Sequence, residues 1–258
     1  MTVIAPPRTA TRAALVAISH GTSSPAGQSA VARLVAATAE SLGSTTVEGG
    51  FVDVQQPDVP ATLGRLPPEQ PAVVVPLLLS AGFHVHVDLV DAAAESECVA
   101  VIAPALGPDD RLVTLLARRL YDAGLRETDA VVLCAAGSTD ARAVADCRET
   151  AGRLSTVLNR EVTVGFISAA SPPIETAVSS AKAANPAGRV VVSTYLLAPG
   201  YFADLAHQTS ADLATAPLLT EFGEVPDELV SIVRDRYLDI LAGPDSVPAG
   251  GEHRIGRR

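Results

Sequence analysis

Tryptophan is absent, and aromatic residues make up only 3% of the 258 residues. A chain so poor in rings has few platforms on which single-stranded nucleic acid could stack. Lysine is nearly missing too: of 19 basic residues only Lys182 is a lysine, so P-loop and Schiff-base chemistry have almost no candidate. Against 29 acidic residues this leaves a net charge of −10. A phosphate-binding basic face, and with it a nucleic-acid partner, is not expected. The three cysteines, Cys98, Cys134 and Cys147, form no C-x-x-C pair and are odd in number. They read as small buried apolar residues in a reducing cytosol rather than as a disulfide framework or zinc site. No apolar run is long enough for a membrane span, and residues 1–12 lack the apolar centre of a signal peptide, so no membrane partner and a cytoplasmic location are expected.

Apolar residues are plentiful, at 48% against 19% charged, enough for a large buried core. They gather in short continuous runs at 13–19, 45–52, 72–79 and 97–103. Unbroken rather than alternating runs are the pattern of parallel strands covered on both faces. Between them lie helical stretches: one ends at Gly43, and others fall at 58–65, 86–95 and 108–123. The order then restarts, with strands expected at 129–135, 161–167 and 188–197 and helices near 140–157, 173–184, 201–214 and 226–242.

The restart is a duplication. Phe51 lies over Phe166 and Pro57 over Pro172, 115 residues apart in both cases, while Gly21 and Gly137 are separated by 116 and Gly82 and Gly200 by 118. Near-constant offsets across separate segments mark an internal repeat. The fold class expected is α/β, two tandem doubly wound parallel-sheet halves. The expected organisation is a loose tail over 1–12, a first half over 13–125, a second over 126–243, and a tail over 244–258.

In open parallel sheets ligands bind beyond the carboxyl ends of the strands. His20 follows the first strand, Asp53 the second, and His84 the third, with His86 and Asp88 close behind. Together these make a set suited to a divalent metal or to acid–base work. Taken singly, each has a plainer reading: His20 as a loop residue, Asp53 as a helix cap, His86 and Asp88 as a solvated face. The repeat argues for function, because the matched positions carry Ala136, Ser168 and Phe202. Groups needed only for capping would recur in both copies. One active half and one scaffold half are therefore expected, with His207 on a helix face. Gly21 allows a tight turn and close approach of a flat ligand, and Gly82 leaves room beside the rim. Ser23, Ser24 and Pro25 signal a helix start, whose free N–H groups could take a carboxylate.

At these residues the chain resembles the sirohydrochlorin chelatases, the CbiX/SirB group of class II tetrapyrrole chelatases, in their long two-half form. The resemblance rests on His20-Gly21-Thr22, on the FVDVQQP segment and on the Gly-x-His-Val-x-x-Asp pattern of Gly82, His84, Val85 and Asp88, and it spans about residues 13–242. It implies insertion of Fe²⁺ or Co²⁺ into sirohydrochlorin, a tetrapyrrole with eight carboxylates, in siroheme or cobalamin biosynthesis. His20 and His84 would hold the metal, and Asp53 would supply the acidic group where many members have Glu. Gly21, Thr22, Ser23, Gly82 and Phe83 would line the ligand site. Many members carry Arg where Ser23 stands, so carboxylate recognition would pass to backbone N–H groups or to another arginine such as Arg33. No cofactor is implied beyond the substrate metal, and a monomer whose halves form one cleft is expected. Activity should fall below about pH 6 as the imidazoles protonate.

Three other readings compete, of which a periplasmic-type two-lobed binding protein would need an export signal that the sequence does not display. The H-x-H-x-D string at His84, His86 and Asp88 resembles part of a metallo-β-lactamase-type motif and would suit a metal-dependent hydrolase, although Leu89 stands where that motif has another His. A non-catalytic tetrapyrrole or metal carrier would use the same residues.

Overall fold

The apolar run Ala14–Ser19 forms strand β1, buried along its whole length. Around it the first half builds α1 (Pro25–Leu42), β2 (Val47–Phe51), α2 (Val59–Leu63), β3 (Ala72–Pro76), α3 (Phe83–Ala94), β4 (Ala100–Ile102) and α4 (Asp110–Asp122). The second half repeats the series: β5 (Ala130–Ala135), α5 (Ala141–Leu158), β6 (Val162–Phe166), α6 (Ile174–Ala184), β7 (Val190–Tyr195), α7 (Tyr201–His207), β8 (Leu213–Ala214) and α8 (Asp227–Ala242). This computed structural model describes residues 12–80 and 82–243. The tails expected over 1–12 and 244–258 lie outside the described residues, apart from Arg12. No described helix is long and apolar enough to cross a membrane.

Both sheets are parallel and share one strand order, β2-β1-β3-β4 and β6-β5-β7-β8. In this order the chain leaves β1 toward one side and returns on the other. The loops after β1 and β3, and after β5 and β7, therefore diverge and open a crevice at the carboxyl edge. The expected helix over 201–214 is shorter than its pattern suggested. Asp212 explains the stop: its carboxylate accepts from the Val190 N–H at 2.8 Å while its own N–H donates to the Val190 carbonyl at 2.9 Å. The segment is thereby drawn into the sheet as β8, and edge pairing prevails over local helical pattern.

The halves share one core. Leu15, Val73 and Leu115 belong to the same buried cluster as Val131, Val191 and Ile232. Helices α1, α4, α5 and α8 fill the space between the sheets, while α2 and α3 cover the outer face of the first and α6 and α7 that of the second. The closing helices are exchanged: α4 packs on β7, and α8 packs on β3. Hydrogen bonds follow the same crossing. The Tyr237 hydroxyl donates to the Ala13 carbonyl at 2.6 Å, and the Arg236 guanidinium donates to the carbonyls of Ala105 and Leu106 at 2.9 and 3.1 Å. Asp109 accepts from both Arg111 and Arg236. Burial opposes its ionisation, but the hydrogen bonds and charge of Arg111, with Arg236 behind, hold its carboxyl below the usual range.

Asp129 secures the start of the second sheet. Its buried carboxylate accepts from the Arg126 N–H at 2.8 Å and from Arg189 at 2.6 and 3.1 Å. Chiefly the Arg189 hydrogen bond holds its pKa below the usual carboxylate value. A depressed native pKa adds stability that is fully present above the unfolded-state value near 4 and is lost as pH falls through the native one. Asp129→Asn is therefore expected to lower stability by about 2 kcal/mol at pH 7. The gap from the unsubstituted protein should begin to narrow below pH 4 and close only below the native pKa. Urea midpoints at pH 7 and pH 3 test this; an equal gap at both would refute the ionic account.

Candidate functional site

The carboxyl ends of β1 and β3 face those of β5 and β7 across a cleft of about 600 Å³, within the range of small-molecule sites. The first half contributes Ser19 to Ser23, Val54, Gln55, Leu77 to Ser80 and Gly82; the second contributes Ala135 to Ser138 and Tyr195 to Ala203. The crevice expected from strand order is thus shared between the halves. Its described lining holds no lysine or arginine.

His20 is exposed on this lining immediately after β1, and the turn that carries it is tied at several points. The Asp53 N–H donates to the His20 carbonyl at 3.0 Å. The Thr22 N–H donates to Gln55 Oε1 at 2.9 Å, Gln28 Nε2 donates to the Thr22 carbonyl at 2.8 Å, and Thr22 Oγ1 accepts from the Ser24 N–H at 3.1 Å. Gly21 sits at φ 95°, and a Cβ there would collide with the Asp53 carbonyl oxygen. Val54 also has positive φ, at 65°, which is costly for a β-branched residue, yet it is 59% exposed on the cleft. The turn thus fixes the backbone from which the His20 side chain projects at the cleft.

Gly21, Thr22, Ser23 and Gly82, the residues expected to contact a ligand, are placed by the structure on the cleft lining. Asp53 is exposed next to Val54 and is not among the lining residues; its Oδ1 accepts the Val54 N–H at 2.7 Å. It is not a helix cap either: Asp58 caps α2, accepting from the Ala61 N–H at 2.9 Å. Helix α3 begins at Phe83, directly after Gly82. The side chains of Phe83, His84, Val85, His86 and Asp88 lie outside the described residues. The helical backbone still bears on the H-x-H-x-D string: positions 84 and 88 are one turn apart, and 86 lies on the opposite side. Among the described residues no three His, Cys, Asp or Glu side chains are grouped to hold a metal ion.

One expectation about carboxylate recognition is corrected. Arg33 is committed elsewhere, donating to the carbonyls of Gly223, Thr220 and Glu221 at 2.5 to 2.9 Å. At the start of α1, Ser24 caps the helix by accepting from the Gly27 N–H at 3.4 Å, and the Pro199 carbonyl of the other half packs against Gly27. His207, in the last turn of α7, is exposed and outside the cleft lining.

Several cleft residues escaped the sequence reading. Tyr195 is buried at the end of β7, and its hydroxyl donates across the halves to the Leu79 carbonyl at 3.0 Å. Burial pushes that phenol's pKa up and away from acid–base use. Cys147 lines the cleft floor, but burial raises its thiol to about 11, so it is no nucleophile at neutral pH. All three cysteines are free and buried. Gln55 was signalled only by the run Gln55-Gln56-Pro57, which carries no chemistry on its face.

The second copy reproduces the turn with Ala136 and Ser168 in place of His20 and Asp53. Gly137 has φ 94°, the Ser168 N–H donates to the Ala136 carbonyl at 3.0 Å, and Ala169 repeats the positive φ of Val54. Helices α3 and α7 start at positions 83 and 201, again 118 apart.

Comparison with known proteins agrees with this duplicated architecture. No curated protein matches the chain by sequence. Among solved structures, SirB from Bacillus subtilis with Fe³⁺ is similar with a TM-score of 0.70 and 22% identity, covering 90% of this chain and 98% of that one. The sirohydrochlorin chelatase SirB from Bacillus subtilis subspecies spizizenii, in complex with cobalt, gives a TM-score of 0.69 at 16% identity over 91% and 97%. CbiX, the terminal enzyme for biosynthesis of siroheme in denitrifying bacteria, gives 0.59 at 18% identity over 89% and 99%. At these identities the likeness establishes the fold. The CbiX family model matches residues 14–123 and again residues 130–238. Matched once in each half and over most of its length, the chain belongs to the CbiX family.

Proposed function

We propose that this protein is a chelatase that inserts a divalent metal, Fe²⁺ in the first place and Co²⁺ as an alternative, into sirohydrochlorin in siroheme or cobalamin biosynthesis. The observation that carries the reading is the position of His20: exposed at the end of β1, on a fixed turn, beside a largely apolar cleft between the halves. Family membership points the same way, as do the iron and cobalt held by the similar SirB structures.

In this reading the macrocycle lies in the cleft with its apolar ring against both halves. Neutral His20, joined by His84 from the start of α3, gives its ring lone pair to the incoming M²⁺ in place of water. Each M²⁺ that enters the ring displaces two pyrrole N–H protons. His20, once it has handed over the metal, can take one, and exposed Asp53 at the same rim passes protons to solvent. The metal is a substrate, and no resident cofactor is invoked. A single chain in the cytoplasm would suffice, since it supplies both walls.

Absorbance of sirohydrochlorin mixed anaerobically with catalytic amounts of protein and Fe²⁺, Co²⁺ or Ni²⁺ tests the proposal. Many turnovers per chain are expected, fastest with Fe²⁺. A single stoichiometric uptake would instead mean a carrier, and cleavage of ester or phosphodiester probes with retained zinc would mean a hydrolase.

A further inference from the structure

The second half carries Ala136, Ser168 and Phe202 where the first carries His20, Asp53 and His84, yet it has one conspicuous feature of its own in the cleft. Tyr201 and Phe202 open α7, line the cleft, and are 71% and 37% exposed. Their ring centroids lie 6.0 Å apart with the planes tilted by 44°. Two adjacent rings on the wall of a cleft form an apolar surface that the flat face of a ligand can cover.

The backbone just before them is fixed against the histidine turn. Pro199 packs its carbonyl on Gly27 at the start of α1, and a Cβ built on Gly200 would stand 3.2 Å from Thr22 Oγ1. The aromatic pair is thus held beside the loop that carries His20, from the opposite half. By the repeat, Phe202 occupies the place that His84 holds in the first half. The described lining offers no cation to pair with a carboxylate. What it offers is apolar surface and π-faces, and these recognise the flat conjugated face of a ligand rather than its charged rim.

We propose that Tyr201 and Phe202 are the substrate-holding residues of the second half, gripping the face of the tetrapyrrole so that its centre is presented to the metal-bearing rim of the first; this rests on the chelatase reading above. One half performs the chemistry and the degenerate half holds the ring. The carboxylates project toward solvent, outside the lining.

The experiment measures the Kd of metal-free sirohydrochlorin by absorbance titration, together with KM and kcat, for the full chain and for the Tyr201→Ala/Phe202→Ala double variant. Kd and KM are expected to rise about 10- to 100-fold with kcat changed by less than about threefold. Both side chains are exposed, so the melting temperature should hold. If it falls, Tyr201→Leu/Phe202→Leu, which keeps apolar area but removes the π-faces, should still weaken binding at least about fivefold. Raising salt from about 50 to 500 mM should not weaken binding, because no ion pair is made and screening relieves repulsion from a protein of charge −10. A Kd within twofold of the unsubstituted protein, or a steep loss of affinity with salt, would overturn the proposal. Should the unsubstituted chain fail to bind sirohydrochlorin at all, the chelatase reading falls with it. Normal binding and turnover with an indifferent double variant would refute the aromatic grip alone.

Discussion

His20→Ala is expected to reduce turnover of metal insertion by about 10²- to 10⁴-fold, the range for removing a group that ligates or moves a proton at the reacting centre. The fold should survive intact. The molecule contains its own control for that claim: the second half carries Ala136 at the matched place, with Gly137 at φ 94° against 95° for Gly21. The Ser168 N–H reaches the Ala136 carbonyl at 3.0 Å, as the Asp53 N–H reaches that of His20. Alanine is therefore compatible with this turn, and His20 is exposed enough that truncation leaves no cavity. The pair to measure is kcat with Fe²⁺ and the melting temperature. Full activity would remove His20 from the reaction, and a large fall in melting temperature would assign the residue to stability.

The reach of the sequence differs between backbone and contacts. Continuous apolar runs such as 13–19 and 72–79 mark doubly covered strands because burial on both faces permits no polar alternation. The repeat is legible through glycines, since Gly21 and Gly137 hold a backbone conformation that other residues adopt with strain. The exchange of α4 and α8 between sheets is not legible: an apolar stripe says that a helix is covered, not by which sheet. Side-chain partners are harder still. Arg33 looked free to meet a carboxylate because the carbonyls at 220–223 that capture it lie about 190 residues away. Asp53 reads as a possible cap of the following helix, yet Asp58 takes that place and the Asp53 carboxylate accepts the Val54 N–H instead. Tyr195 reads as a strand residue, and its bond to Leu79 belongs to the assembled halves.

Gly21→Ala and Gly137→Ala should divide stability from function. Both glycines lie at positive φ, and in both a new Cβ would run into a carbonyl oxygen, that of Asp53 in one half and that of Ser168 in the other. Left-handed backbone costs a non-glycine residue about 1–2 kcal/mol, and the collision forces a further shift of the loop. Each variant is expected to lose about 3 kcal/mol, a drop of roughly 6–12 °C in melting temperature for a chain of this size. Their activities should part company. In the first half the displaced loop is the one that bears His20 and Thr22, so turnover at 20 °C, where both variants remain folded, should fall at least about tenfold for Gly21→Ala. Gly137→Ala moves a turn whose matched residue is Ala136, and it should keep activity within about threefold of the unsubstituted protein. The division of labour between the halves predicts that asymmetry in turnover on a background of equal destabilisation. Equal losses of turnover would mean that the second half shares in the chemistry and that its missing polar groups are made good by residues outside the repeat.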